Sequence, residues 1–363
     1  MTRAGRPGVP PLCHALVMLI PARLALLIVA MPLVPMLSSP THAAAEAPPA
    51  HYVFVNRDRT RIHDALFLGT PGIAGAEIKY TWKELEPERD RYSFTHVLED
   101  LAFLTAHGKR MVIQLQDATF DERINVPAYL LADTAFHGGA ARKYEAPDGA
   151  DSARFDGWIA RRWDPSVQER YARLLQALAQ QVDGRVEAVV LPETATEFGG
   201  GPERVPTGFT PESWLTGILA QMTAARTAFT HSRVIQYANF MPGEWLPKDD
   251  HGYLRSVYAH ADSIGVGAGG PDLIPVRREF RAHSYPLIAA RRRDRVCAGL
   301  AVQDNNLAAV DKLTKLPVTV PMLAAFAADS LHLDYVFWGL QEPYYTRDIL
   351  PWLRAQPATP PPH

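Results

Sequence analysis

Two glutamates, Glu193 and Glu197, follow the apolar run Val186–Leu191, with only Pro192 between the run and the first acid. Three glycines, Gly199, Gly200 and Gly201, come next. Apolar residues in succession mark a strand buried on both faces, as in a parallel sheet covered by helices. Carboxylates at the C-terminal end of such a strand lie where α/β barrels keep their chemistry.

Other polar and aromatic residues follow similar runs. Trp82 and Glu84 come first, then Gln114, Gln116 and Asp117, then Tyr237, Asn239 and Glu244. Asp272 is next, and Gln303, Asp304, Asn305 and Asn306 follow it. Trp338, Gln341 and Glu342 close the series. Acids and amides hydrogen-bond hydroxyl groups, and Trp and Tyr faces stack on the apolar faces of sugar rings. The alternative is that many of these groups only cap helix N-termini at the same end of the fold.

Other chemistries lack their signatures. His51, His63, His96 and His107 show no zinc-type spacing, so no metal site is expected. No Gly-x-Ser-x-Gly argues for an esterase. Gly265-Val-Gly-Ala-Gly-Gly270 has no dinucleotide-type helix start behind it, and no cofactor is expected. Cys297 opens an apolar run and reads as core.

The elements that must position these groups are eight short apolar runs separated by helical patterns. The runs are Tyr52–Val55, Ala76–Tyr80, Arg110–Leu115, Val186–Leu191, Val234–Ala238, Ser263–Val266, Val296–Val302 and Tyr335–Trp338. Ser93 is expected to cap a helix with the apolar face Val97, Leu98, Leu101 and Leu104, ended by Gly108. Asp164-Pro165 and Thr210-Pro211 each read as a cap plus a proline in the first helical turn. Such alternation predicts an α/β fold with a parallel sheet, and eight units favour a single closed (β/α)8 TIM barrel over an open doubly wound sheet. The segment 120–163, rich in Gly, Asp and Arg, is expected to be an enlarged βα loop over the barrel mouth.

The chain ends read differently. Residues 1–43 have the pattern of a cleaved signal peptide: Arg3 and Arg6, an apolar core interrupted by Pro21 and Arg23, and the small-residue site Thr41-His-Ala43. The expectation is export, to the periplasm or the medium, with no stable membrane insertion after cleavage. Residues 44–50 read as a Pro/Ala linker, 51–355 as the barrel domain and 356–363 as a disordered Pro-rich tail. Loss of the leader arginines Arg3, Arg6 and Arg23 takes the net charge from −2 to about −5. That mild acidity does not suggest a nucleic-acid partner. Oligomeric state is left open.

The string Ala76-Glu-Ile-Lys-Tyr-Thr-Trp-Lys-Glu-Leu-Glu-Pro87, then Asp90-Arg-Tyr-Ser-Phe94 and Gly108-Lys-Arg-Met-Val-Ile113, resembles the opening of clan-A glycoside hydrolases. The motif covers about 40 residues, whereas the strand–helix order covers most of the chain. The resemblance implies a (β/α)8 barrel that cleaves glycosidic bonds of a poly- or oligosaccharide with two carboxylates. It implies an acid/base glutamate at the end of the fourth strand, where Glu193 stands, and a carboxylate nucleophile after the seventh, where Gln303-Asp304 stands.

Glycosidic cleavage needs one carboxyl group protonated and one ionised across the bond. Glu193, shielded by apolar neighbours, suits the acid, and Asp304, between amide donors, suits the ionised partner. Asp is one methylene shorter than Glu, so Asp304 could activate water and invert the anomeric centre. Glu197 is the reserve acid and Glu342 the reserve partner, with Trp82 and Trp338 flanking the sugar. Gln114, Gln116, Tyr237, Asn239 and Asn305 complete the expected binding set. Pro192 stands where that clan has Asn, and Asp304 where it has Glu. These departures motivate the alternative of a non-catalytic carbohydrate-binding barrel in polysaccharide export or surface assembly.

Overall fold

A computed structural model describes residues 48–147, 149–303 and 306–358. The leader 1–43, linker residues 44–47, tail residues 359–363 and the site residues Asp304 and Asn305 lie outside the described residues.

Eight parallel strands close into a barrel. In chain order the strands are β1 (Ala50–Asn56), β2 (Gly75–Thr81), β3 (Arg110–Gln116), β4 (Ala140–Glu145), β5 (Arg154–Ala160), β6 (Ala188–Leu191), β7 (Arg233–Tyr237), β8 (Gly267–Gly270), β9 (Ala298–Val302) and β10 (Tyr335–Gly339). Hydrogen-bonded neighbours run β1-β10-β9-β8-β7-β6-β3-β2, whereas β4 and β5 form a separate antiparallel hairpin. The closed barrel, not the open sheet, is the architecture.

Alternation along each strand sorts side chains between two cores. Ala76, Ile78 and Tyr80 of β2 pack outward beneath the helices. Tyr52, Phe54, Val112, Val190, Ile235 and Phe337 point inward and fill the barrel. An ion pair from Arg110 to Glu187 (2.9 Å) and a bond from the Tyr335 hydroxyl to Glu187 (2.5 Å) tie the strand starts together, at the face opposite the mouth.

The helix signals hold in two of three places. Asp164 accepts from the Ser166 amide at 2.9 Å and opens the helix Pro165–Val182. Thr210 and Ser213 form a reciprocal capping box on Pro211–Ala228. The third helix, Thr95–Ala106, starts after Phe94 without a side-chain cap, so Ser93 does not cap it. Gly108 does follow its end, with φ 66°.

One strand expectation is corrected. Ser263 and Ile264 finish the helix Tyr253–Ile264, and the sixth barrel strand is β8, Gly267-Ala-Gly-Gly270. Its inward positions have no room for a side chain. A Cβ on Gly269 would stand 2.7 Å from Gly299 O and from the Ile235 and Tyr237 side chains. A strand built of glycine and alanine carries no hydrophobic signal.

The enlarged segment after β3 is more ordered than a plain loop, because β4 and β5 form within it. The Trp158 amide donates to Thr119 Oγ1 at 2.9 Å, which joins the hairpin to the end of β3. The Tyr144 amide donates to Glu197 O at 3.0 Å, which joins it to the segment after β6. The hairpin therefore bridges two adjacent βα segments of the barrel. Among the described residues no helix is long and apolar enough to cross a membrane.

Candidate active site

Glu193 is held by its backbone from several sides. Arg162 Nη1 donates to Glu193 O at 2.6 Å, and its guanidinium grips Asp117 through Nε–Oδ2 (2.8 Å) and Nη2–Oδ1 (2.5 Å). Both members of that pair are buried, so the clamp is rigid. Gln236 Nε2 donates to Pro192 O at 2.8 Å, and the Thr194 amide donates to Tyr237 O at 3.0 Å. The chain leaving β6 thus turns in one conformation, and the Glu193 carboxyl is presented to a cavity.

That cavity has a volume of about 400 Å³. Glu193, Gln114, Gln116 and Tyr237 line it, so four of the expected site residues come together. Asn239, buried, hydrogen-bonds the Glu193 carboxyl. Burial pushes the Glu193 pKa up to about 7, and the nearby negative charge of Asp272 adds to the rise. The Asn239 hydrogen bond, Lys143 and Lys79 pull the other way. A carboxyl group poised near neutrality can give and take a proton at physiological pH.

Several lining residues have no role in the expected site, although Asp272 stands in the strand-end series. Asp272, after β8, accepts from Asn306 Nδ2 at 2.9 Å and faces the same cavity. Phe120, 70 % exposed, stands at the rim with the Lys143 ammonium 3.9 Å from its ring centre. Lys143 itself is buried and pairs with Asp156 at 3.2 Å. Lys79 enters from β2. The polar pair Glu77 and Lys79, two apart in an otherwise apolar run, was the readable signal for an inward-facing polar stripe. Phe120 and Lys143 had none, because the hairpin places them.

Glu77 lies fully buried inside the barrel, with Oε1 accepting from the Tyr237 hydroxyl at 3.0 Å and Oε2 without a partner. Burial raises its pKa to about 8. It supports the cavity wall through Tyr237 and does not line the cavity.

The remaining expected residues are elsewhere. Trp82 is buried, stacks edge-on against Tyr171 and donates from Nε1 to Glu86 Oε2 at 2.9 Å. It has the outward parity of Ala76, Ile78 and Tyr80, and it opens a helical turn after β2. Trp338 is also buried and donates to His51 Nδ1 at 3.2 Å. It points outward because its β10 neighbour Phe337 points in. Glu197 accepts from the Ala146 amide at 3.1 Å and fastens the hairpin. Exposed Glu342 accepts from the Thr346 hydroxyl at 2.7 Å in the loop after β10. Asp304 and Asn305 follow β9 outside the described residues.

No protein-family profile matches the sequence, and no curated protein matches it. Solved structures do match. The catalytic domain of beta-amylase from Paenibacillus polymyxa aligns with TM-score 0.52 and 8% identity, over 81% of this chain and 93% of that one. GH5_18 from Streptomyces cattleya, solved with Manb1-4GlcNAc, aligns with TM-score 0.50 and 16% identity, over 80% and 70% of the two chains. The fold is a (β/α)8 barrel, the architecture of these two structures. At these identities the likeness is one of architecture. Within the barrel, Glu193 follows the fourth strand and lines the cavity.

Proposed function

We propose that this chain is an exported glycoside hydrolase that cleaves a poly- or oligosaccharide, with Glu193 as the proton donor. The supporting observation is one carboxyl group that combines a clamped backbone, an opening to a polar cavity and a pKa of about 7. Asp304, after the seventh strand, is the proposed ionised partner. Asp272 is its rival, because it faces the cavity and its charge reaches Glu193.

In this reading Glu193 protonates the glycosidic oxygen as the bond to the anomeric carbon breaks. The partner carboxylate stabilises the positive charge on the sugar, or takes a proton from attacking water. Gln114, Gln116 and Asn239 bind hydroxyls, and Phe120 offers a ring face for stacking. Glycosidase architecture in neighbouring structures is consistent with this chemistry, and the leader pattern supports export.

The test is release of new reducing ends from a panel of polysaccharides by the wild type and by Glu193→Gln, Asp304→Asn and Asp272→Asn. Activity in the wild type, lost in Glu193→Gln with the fold intact, supports the reading. The asparagine variant that also loses activity names the partner. Full activity in Glu193→Gln refutes it. Binding without product from any glycan would assign the chain to the non-catalytic carbohydrate-binding class instead.

A further inference from the structure

A second cavity, of about 250 Å³, is lined from the helices Pro165–Val182 and Pro211–Ala228. Exposed Pro165, Glu169 and Ala220 are among its lining residues, so it opens to solvent. Ala172, Gly217 and Ala224 keep the space between the helices free, because none carries bulk to fill it. Its inner wall includes buried Arg162 and Asp117, the pair that holds the Glu193 backbone. Arg162 lines both cavities.

Two buried polar groups in this wall are left over. Gln221 and Tyr171 are only 8% and 5% exposed. The Gln221 amide is near enough to act on the Tyr171 hydroxyl. Yet Gln221 Nε2 and the Tyr171 oxygen have no hydrogen-bond partner among the described residues. Burial raises the Tyr171 pKa well above its ordinary value, so the hydroxyl keeps its proton and can donate. Buried donors without acceptors are costly and uncommon, and two side by side call for a shared acceptor. The rest of the wall is apolar: Val167, the alanines and Trp82, whose ring centre is 4.9 Å from that of Tyr171.

Size and polarity narrow the occupant. A dry cavity of about 150 Å³ takes benzene, so this one has room for a substituted ring. Arg162 and Asp117 already match each other in charge, which leaves the inner wall without a free ion to pair. A carbonyl oxygen has two lone pairs and can accept from both donors at once.

We infer that this cavity is a second ligand site, for a compact uncharged molecule with one ring and a carbonyl oxygen. The oxygen lies against Gln221 and Tyr171, and the ring lies against Trp82 and Val167. A molecule seated there rests on the clamp that fixes Glu193.

Ligand-observed NMR titration of the purified chain tests this with two probes of the same shape. Acetophenone has the carbonyl, whereas α-methylstyrene has a methylene group in its place. The expected result is saturable binding of acetophenone, about 2- to 10-fold tighter than α-methylstyrene. Tyr171→Phe and Gln221→Leu should each narrow that ratio while both probes still bind. Ala224→Leu or Ala172→Leu, each a good helix former that fills the space, should abolish binding with the melting temperature kept. Failure of acetophenone to bind overturns the inference and gives the two donors to water. Equal affinity for the two probes overturns it as well, as does binding that survives both filling variants. Binding that fades as protein concentration rises would give the cavity to a second copy of the chain and also overturns it.

Discussion

Glu77 offers a prediction with a definite sign and size. Its carboxyl is fully buried, accepts one hydrogen bond from Tyr237 and has an oxygen without a partner. Burial lifts its pKa from 4.5 to about 8. The unfolded chain therefore loses this proton near pH 4.5, while the folded chain keeps it until about pH 8. Between those values the folded state binds more protons, so stability falls as pH rises. At pH 7 the gap from the unfolded value corresponds to about 3 kcal/mol of destabilisation, and at pH 5 to less than about 1 kcal/mol. Glu77→Gln keeps the shape and an oxygen to accept from Tyr237, but cannot ionise. The variant should match the wild type near pH 4.5 and exceed it by about 3 kcal/mol at pH 7, or about 4–5 °C in melting temperature for a chain of this size. Denaturant melts of both proteins at pH 5, 7 and 8 read the difference directly. A constant gap across pH, or a variant that is less stable at pH 7, refutes the reasoning.

Three further outcomes follow from other buried groups. The kcat/KM of a cleaved glycan should fall as pH rises through about 7, where Glu193 loses its proton, and Glu193→Gln should lower kcat by about 10²- to 10⁴-fold. Arg162→Met leaves the Asp117 carboxylate buried and unpaired and should cost about 3–5 kcal/mol in chemical denaturation, with Arg162→Lys a poor rescue because the bidentate grip is lost. Burial lowers the His51 pKa from 6.5 to about 4, so its contribution is complete above pH 6.5 and is lost as pH falls to about 4. That amounts to about 3 kcal/mol, and His51→Gln should flatten this part of an acid-unfolding curve.

The barrel was legible because its strands are buried on two sides. Ile78 and Tyr80 meet helices and Val112 and Val190 meet the barrel interior, so both faces left an apolar trace. β8 left none, since Gly267 and Gly269 exist to admit their neighbours. Glu193 was legible as the acid that ends an apolar run. Which of two adjacent residues faces inward was not, because period-two alternation places neighbours on opposite faces. Trp338 thus sits behind the wall that Phe337 forms. Lys143 and Phe120 depend on how the β4–β5 hairpin folds back over β3, a long-range pairing that composition does not encode.

Three carboxyl groups near β6 show how surroundings, more than residue type, divide roles. Asp117 is buried against a guanidinium, so its charge is matched and spent on holding the Glu193 backbone. Glu77 is buried without a cation bonded to it, so it keeps its proton well past neutrality, and it has no surface from which to meet a substrate. Glu193 is desolvated enough to hold a proton near pH 7, yet it opens to the cavity. Only the third combination allows proton exchange with a bound molecule. Lys79 and Lys143 then become the adjustable part of the site: they keep the Glu193 pKa lower than burial alone would set it.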